Sequence, residues 1–88
     1  MVKHFKHWAE SDLGQGVVLF EAIGDEIVRQ VEIYRTILVW CDQTGQSDDR
    51  FMLADKPLSV LGLGKEDEIT SAEFEAAWTK AKAGSSCP

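Results

Sequence analysis

The sequence predicts an α+β domain: a three- to four-stranded antiparallel meander sheet with a C-terminal helix packed on one face. Two patterns support this class. Residues 17–42 contain three successive runs of β-forming residues joined by short turns, and residues 70–83 carry apolar residues at helical spacing. Because 88 residues provide only one modest core, we expect a single domain over residues 1–83 and a flexible tail over residues 84–88.

The first two strand runs, residues 17–23 and 26–34, flank the dipeptide Gly24-Asp25. A two-residue link that contains Gly predicts a tight β-hairpin, whose register places Phe20 opposite Arg29. Since side chains alternate between the faces of a strand, one face is expected to be apolar apart from Arg29. This face carries Val18, Phe20, Ala22, Ile27, Arg29, Val31 and Ile33, and the third strand adds Leu38 and Trp40.

The third strand, residues 37–42, follows the dipeptide Arg35-Thr36. If this link is also a two-residue turn, Arg29 lies opposite Asp42. A charge on an apolar face is costly unless it is paired, so this register predicts a salt bridge between Arg29 and Asp42. The alternative is that Asp42 holds Arg29 rigid so that it can bind a carboxylate or phosphate of a partner.

The opposite sheet face is mixed in polarity, so we expect it to be at least partly exposed. Its polar residues and the polar loop over residues 43–50 form the predicted contact surface for a partner. Glu21 and Glu32 share this face, but no nucleophile accompanies them, so acid–base catalysis is not predicted. The predicted binding residues of the whole chain are Glu21, Arg29, Gln30, Glu32, Tyr34, Asp42, Asp48 and Asp49.

A strand and a helix both fit residues 3–9, because helical spacing would place Phe5 and Trp8 on one side whereas a strand would separate them. The strand is preferred, followed by a polar loop over residues 11–16. Later in the chain, residues 57–61 fit a short helical turn that starts with Pro.

The final helix is predicted to begin at Thr70, which forms a capping box with Glu73, and to end at Gly84. Its apolar stripe follows helical spacing and needs a sheet to cover. The stripe consists of Phe74, Ala77, Trp78 and Ala81, and its expected partners are Phe20, Val31, Leu38 and Trp40.

The composition excludes several classes of function. The formal charge of −6 opposes non-specific nucleic-acid binding, and no run of about 18 apolar residues could span a membrane. No signal peptide is visible, and we expect a buried thiol at Cys41 and a free thiol at Cys87, as in a cytoplasmic protein. His4 and His7 match no zinc motif, so neither a metal nor a cofactor is predicted.

A set of motifs extends over most of the chain: Trp8, Glu21, V-R-Q-V-E-I-Y at residues 28–34, a Leu- and Pro-containing segment at residues 53–58, and I-T-S-A-E-F-E-A-A-W at residues 69–78. This set resembles that of a family of small, uncharacterised bacterial domains of unknown function. The chain departs from the family pattern in the turn after Tyr34, where the family often has Gly. The resemblance implies the fold given above and no particular activity.

The expected function is a non-catalytic protein-binding module with an unknown, basic partner, similar in size and charge to small bacterial inhibitors or immunity proteins. A phage-type, anti-CRISPR-like inhibitor that imitates nucleic acid is one alternative. A small-ligand binder or enzyme centred on Arg29 is another. A free sheet edge would permit a homodimer, so monomer and homodimer both stay open. The mimic would use the carboxylates of Asp48, Asp49, Glu66, Asp67 and Glu68.

Overall fold

A computed structural model describes residues 2–11, 14–35, 37–47 and 51–85, with side chains up to residue 83. Within these ranges the chain forms a six-stranded antiparallel sheet, in the order β5-β4-β3-β2-β1-β6, and one α-helix. The predicted α+β class is confirmed, with more strands than expected. The strands are β1 (Val2–Ser11), β2 (Gly14–Ile23), β3 (Glu26–Tyr34), β4 (Ile37–Asp42), β5 (Gly45–Gln46) and β6 (Glu68–Ile69), and the helix is α1 (Ser71–Ser85).

The segment that the sequence left ambiguous is a strand, because β1 pairs with β2 along its whole length, from Val2 opposite Ile23 to Ser11 opposite Gly14. The predicted loop over residues 11–16 is therefore wrong: most of it belongs to the two strands. Gly16 lies within β2, and a Cβ atom there would fall 2.0 Å from the carbonyl oxygen of Ile33. The close approach of the neighbouring strand requires glycine at this position.

The hairpin of β2 and β3, named here the first hairpin because it is the first that the sequence predicts, turns at Gly24-Asp25 as predicted, with Ile23 opposite Glu26. Its register then departs from the prediction, because a β-bulge adds one residue to β3 next to the pair Glu21 and Arg29. Beyond the bulge Phe20 lies opposite Gln30 rather than Arg29, and Val18 lies opposite Glu32 rather than Val31. The expectation that Phe20 shares a face with Val31 and Trp40 is therefore wrong.

The link between β3 and β4 is the predicted two-residue turn, because Tyr34 lies opposite Ile37 and Arg29 lies opposite Asp42. Arg35 adopts a φ of 59°, in the left-handed region that glycine favours. Two short strands that the sequence did not indicate form the edges of the sheet. Strand β5 pairs antiparallel with the end of β4, and β6 pairs with His4 and Phe5 of β1.

Helix α1 lies across one face of the sheet, named here the helix face. Its predicted stripe is confirmed: Phe74 and Ala81 are fully buried, and Ala77 and Trp78 are partly buried against the same core. Leu19 occupies the central sheet position expected for Phe20, next to Val31. At the start of the helix the backbone N–H of Glu73 donates to Thr70 Oγ1 over 3.1 Å, as the capping box predicts, and the helix continues one residue past Gly84.

Residues 51–61 cross the other face, named here the loop face. Phe51 stacks on Tyr34 with ring centroids 5.6 Å apart, and Asp25 in the first hairpin accepts hydrogen bonds from the backbone N–H groups of Leu58 and Ser59. The predicted turn over residues 57–61 is confirmed as a 3-10 helix, Leu58–Val60, while residues 51–54 are irregular. The sheet is therefore covered on both faces. None of the described helices has the length and apolarity to cross a membrane.

Candidate functional site

An ionic cluster surrounds Arg29 on the helix face. Arg29 donates from Nε and Nη2 to the two carboxylate oxygens of Glu21, each over 2.6 Å, in a bidentate pair. It also donates from Nη1 to Glu75 Oε1 over 3.2 Å and from Nη2 to Glu75 Oε2. His4 Nε2 lies 3.0 Å from Glu21 Oε2. The cluster therefore connects β1, β2 and β3 to the first turns of α1.

The electrostatics of the cluster favour its charged form. The Arg29 guanidinium holds the pKa of Glu21 below its ordinary value, and the hydrogen bonds to Glu21 and then Glu75 raise the pKa of Arg29. The guanidinium also lies 5.0 Å from the ring centroids of both Phe74 and Trp78. The positive charge of Arg29 is thus balanced within the chain by two carboxylates and two aromatic rings.

The salt bridge predicted between Arg29 and Asp42 is wrong, although the two residues are cross-strand neighbours. Asp42 instead accepts hydrogen bonds from the backbone N–H of Thr44 (2.8 Å), Thr44 Oγ1 (2.6 Å) and the backbone N–H of Gly45 (3.1 Å). Burial alone would raise the pKa of Asp42, but these hydrogen bonds outweigh it and leave the pKa below its usual range. Asp42 therefore stabilises the β4–β5 turn. Arg29 forms its salt bridge with Glu21, its cross-strand neighbour on β2.

His4, Glu21 and Glu75 each offer one ligand atom, and these atoms lie within 4.8 Å of one another. A histidine and two carboxylates are a donor set that a divalent cation can use. Here the Arg29 guanidinium supplies the positive charge, because it binds both carboxylates directly. His7, on the other side of β1, lies 3.4 Å from Asp67 and outside this set.

A second polar group lies on the loop face, where the sequence predicted an exposed surface. That expectation is wrong for Gln30, Glu32 and Tyr34, which are all buried. Glu32 accepts from Gln30 Nε2 over 2.8 Å and from the Tyr34 hydroxyl over 2.5 Å. Gln30 also accepts from the backbone N–H of Ala54 over 3.0 Å. This network attaches the covering segment to the sheet, so these residues are internal in this arrangement.

Burial changes the acidity of two groups near Glu32. Burial, followed by the hydrogen bond to Glu32, raises the pKa of Tyr34 to about 12. Burial, followed by the negative charges of Glu32 and Asp42, raises the pKa of Cys41 to about 11. The thiol is free and fully buried, as the sequence predicted, and so has the character of an inert core cysteine.

The remaining predicted site residues, Asp48 and Asp49, lie outside the described residues. Of the other acidic residues considered for nucleic-acid mimicry, Asp67 accepts from the backbone N–H of Gly64 over 3.1 Å, and Glu68 lies in the edge strand β6. The mimic therefore stays a prediction. Sequence reasoning also missed Glu75, which follows the buried Phe74 and faces Arg29. One signal was available in the sequence. Glu75 lies next to the apolar stripe of the helix, and this helix has to cover a sheet face that contains an arginine.

A groove of about 780 Å³ lies between the first hairpin and residues 53–57. Ile23 is prominent in it, because this large aliphatic side chain is 52% exposed. The apolar lining residues are Ile23, Ile27, Leu53, Ala54 and Pro57, and the polar ones are Asp25, Glu26, Gln43, Asp55 and Lys56.

Comparison with known proteins supplies no relative. No protein-family model, no curated protein and no solved structure matches this chain. The resemblance to the bacterial family therefore stays a prediction, and any function has to be argued from the chain's own geometry.

Proposed function

We propose that this chain is a non-catalytic protein-binding module and that the groove beside the first hairpin holds the partner. The observation that carries the proposal is a concave, partly apolar surface whose rim is mostly acidic. Binding sites of this kind combine apolar area, which drives association, with a few polar groups, which select the partner.

The groove can supply apolar contact without rearrangement of the core. Ile23 is half exposed at the end of β2, and Leu53, Ala54 and Pro57 on the covering segment face the same groove. Hydrogen bonds fix the covering segment to the sheet near the groove. Asp25 accepts one from the backbone N–H of Ser59, and Gln30 accepts one from the backbone N–H of Ala54. A partner would thus meet a preorganised surface, which lowers the entropic cost of binding.

The charges around the groove indicate the chemistry of the partner. The charged groups that line the groove are three carboxylates and one ammonium group, which belong to Asp25, Glu26, Asp55 and Lys56. The formal charge of the whole chain is −6. A basic segment that carries an apolar side chain fits this surface, and the opposed fields would speed encounter.

In its finer form the proposal is a small acidic inhibitor or immunity protein in the cytoplasm, which rests on size and charge. The alternative of a ligand site at Arg29 has less support, because four donor contacts of the guanidinium are used by Glu21 and Glu75. A ligand there would have to displace one of these carboxylates.

The experiment is affinity capture from the native host, comparing the wild-type chain with the paired variant Glu26→Lys and Asp55→Lys. Both side chains are exposed at the groove rim, so the variant reverses the local charge with little effect on the core. We expect the captured partner to be lost, and we expect addition of Ile23→Asp to prevent any residual binding.

The matched control is the paired variant Glu66→Lys and Glu68→Lys, which makes the same change in net charge at exposed positions outside the groove. It should retain the partner. Equal loss in both variants would show that only net charge matters, and retention in both would show that the groove is not the binding surface.

A further inference from the structure

The outer edge of β1 is open over part of its length. The inner edge pairs with β2 from end to end, but the ladder with β6 covers only His4 and Phe5. Among the described residues no strand pairs with the outer edge over residues 6–10. An uncovered edge presents backbone N–H and C=O groups to any other strand, and proteins generally shorten or cover such edges.

Trp8 lies at the centre of this open stretch and is 78% exposed, the highest exposure among the large apolar side chains of the described residues. Val17 lies beside it on β2, and Ile33 follows on β3, so the indole begins an apolar row on the helix face. A tryptophan contributes a large apolar area to an interface. Its exposure on an open strand edge makes it available to a further strand.

The charges around Trp8 indicate what that strand is. Lys6 and Glu10 lie two residues before and two residues after Trp8, on the same face of β1. If two copies of β1 pair antiparallel about a two-fold axis at Trp8, Lys6 lies opposite the partner's Glu10, and Glu10 lies opposite the partner's Lys6. The sequence of the open edge is therefore complementary to itself.

The ladder with β6 ends at Phe5, and two-fold symmetry about Trp8 limits the new pairing to residues 6–10. The 3-10 helix Lys65–Asp67, which precedes β6, meets β1 at one end of this stretch, where Asp67 Oδ1 lies 3.4 Å from His7 Nδ1. A pairing centred on Ala9 would place Trp8 opposite the partner's Glu10 and remove both charge pairs. Lys6 Nζ already lies 3.1 Å from Glu73, but the lysine side chain is 46% exposed and has further protons to donate.

We propose that this chain forms a two-fold homodimer by antiparallel pairing of β1 over residues 6–10, centred on Trp8. The two sheets join into one continuous sheet with both α1 helices on the same side, because paired residues share a face. This contact is separate from the groove beside the first hairpin, which stays accessible in the dimer.

The test is sedimentation equilibrium over a concentration series at about 0.15 M salt, where a Debye length of about 8 Å limits the repulsion between two acidic chains. Glu10→Lys places like charges opposite each other twice and should weaken dimerisation about tenfold, since like charges directly opposite each other on paired strands are destabilising. Lys6→Glu should do the same.

A mixture of the two single variants provides the decisive measurement. In the mixed pair, Glu at position 6 of one copy lies opposite Lys at position 10 of the other, and the second contact restores the native charges. We therefore expect the mixture to dimerise when neither variant does alone. Far-ultraviolet circular dichroism checks that each variant is folded, and Glu26→Lys, which makes the same change in charge on β3 at the far end of the sheet from Trp8, should dimerise like the wild type.

Two results would overturn the proposal. One is a wild-type chain that stays monomeric throughout the series. The other is a dimer that persists unchanged in both single variants, because it would have to use another surface.

Discussion

Arg29 and Gln30 are adjacent in β3, yet their side chains attach two different coverings to the two faces of the sheet. On the helix face, Arg29 holds α1 through charged partners that are partly open to solvent. On the loop face, Gln30 and its neighbours hold residues 51–54 through a network that is buried and lacks a cation. One covering is a regular helix over an apolar core, and the other is irregular chain.

The difference shows that an element with little regular structure needs specific hydrogen bonds, whereas an amphipathic helix is held mainly by its apolar stripe. The irregular segment has backbone N–H groups that must find partners, and Gln30 supplies one to Ala54. Helix α1 satisfies its own backbone and buries Phe74 fully. The ionic cluster then adds orientation more than stability.

The largest expected effect tests the apolar half of this comparison. Phe74→Ala removes a fully buried ring and leaves a cavity under α1, so we expect a loss of about 3–5 kcal/mol in the free energy of unfolding. Phe51→Ala is the matched change on the loop face, where the ring is only partly buried, and should cost less than half as much. Urea unfolding measures both, and equal losses would contradict the comparison.

The next prediction concerns the buried network. Tyr34→Phe removes the hydroxyl that donates to Glu32 and leaves a carboxylate oxygen without this donor, at a cost of about 2 kcal/mol. Because the network is buried, the loss should be nearly independent of salt. Urea unfolding at low and at high salt tests this, and a loss that disappears in high salt would show that the network is open to solvent.

The pH dependence of the same residue gives a third test. Tyr34 is the single tyrosine of the chain, so tyrosinate absorbance reports it alone. Its pKa is raised from 10.0 to about 12 in the folded chain, so the stability it contributes is complete below pH 10 and is lost as the pH rises towards 12. A folded chain that titrates near 10, as the chain in urea should, would contradict the burial of this group.

A smaller effect is expected for Arg29→Met. The guanidinium and Glu21 are only partly buried and the Glu75 carboxylate is half exposed, so the loss should be about 1 kcal/mol at low salt and should shrink as salt is added. Lys6→Met, which removes the exposed pair with Glu73, is the control and should change the unfolding free energy by a few tenths of a kcal/mol. A salt-independent loss of several kcal/mol for Arg29→Met would make this cluster the main anchor of the helix.

The smallest effect is expected for the turn between β3 and β4, which belongs to neither covering of the sheet. Arg35 has a φ of 59° and is exposed, so Arg35→Gly should relieve backbone strain and stabilise the chain by about 0.5–1 kcal/mol. Thermal unfolding measures the gain. Arg35→Ala removes the same side chain without the conformational freedom of glycine and should show no gain.

The predictions that succeeded depend on local patterns. The helix was predicted from the Thr70 cap and the stripe that includes Phe74, and the hairpin from Gly24-Asp25; each signal lies within the element that it specifies. The predicted side-chain partners were wrong where the actual partners are distant in sequence. Arg29 lies 46 residues from Glu75, and Gln30 lies 24 residues from Ala54, so no short-range pattern connects them.

By itself the sequence determined the class of the fold, the turns between β2 and β3 and between β3 and β4, and the amphipathic helix, since backbone conformation and side-chain periodicity are local properties. Only the tertiary structure decided the register of β2 on β3. Residues 17–20 are apolar without interruption, so both faces of the strand are equally able to be buried, and alternation cannot choose between them. The bulge next to Arg29 sets the register, because it places Arg29 opposite Glu21 and Val31 opposite Leu19. These residues lie beneath a helix that comes only at the end of the chain.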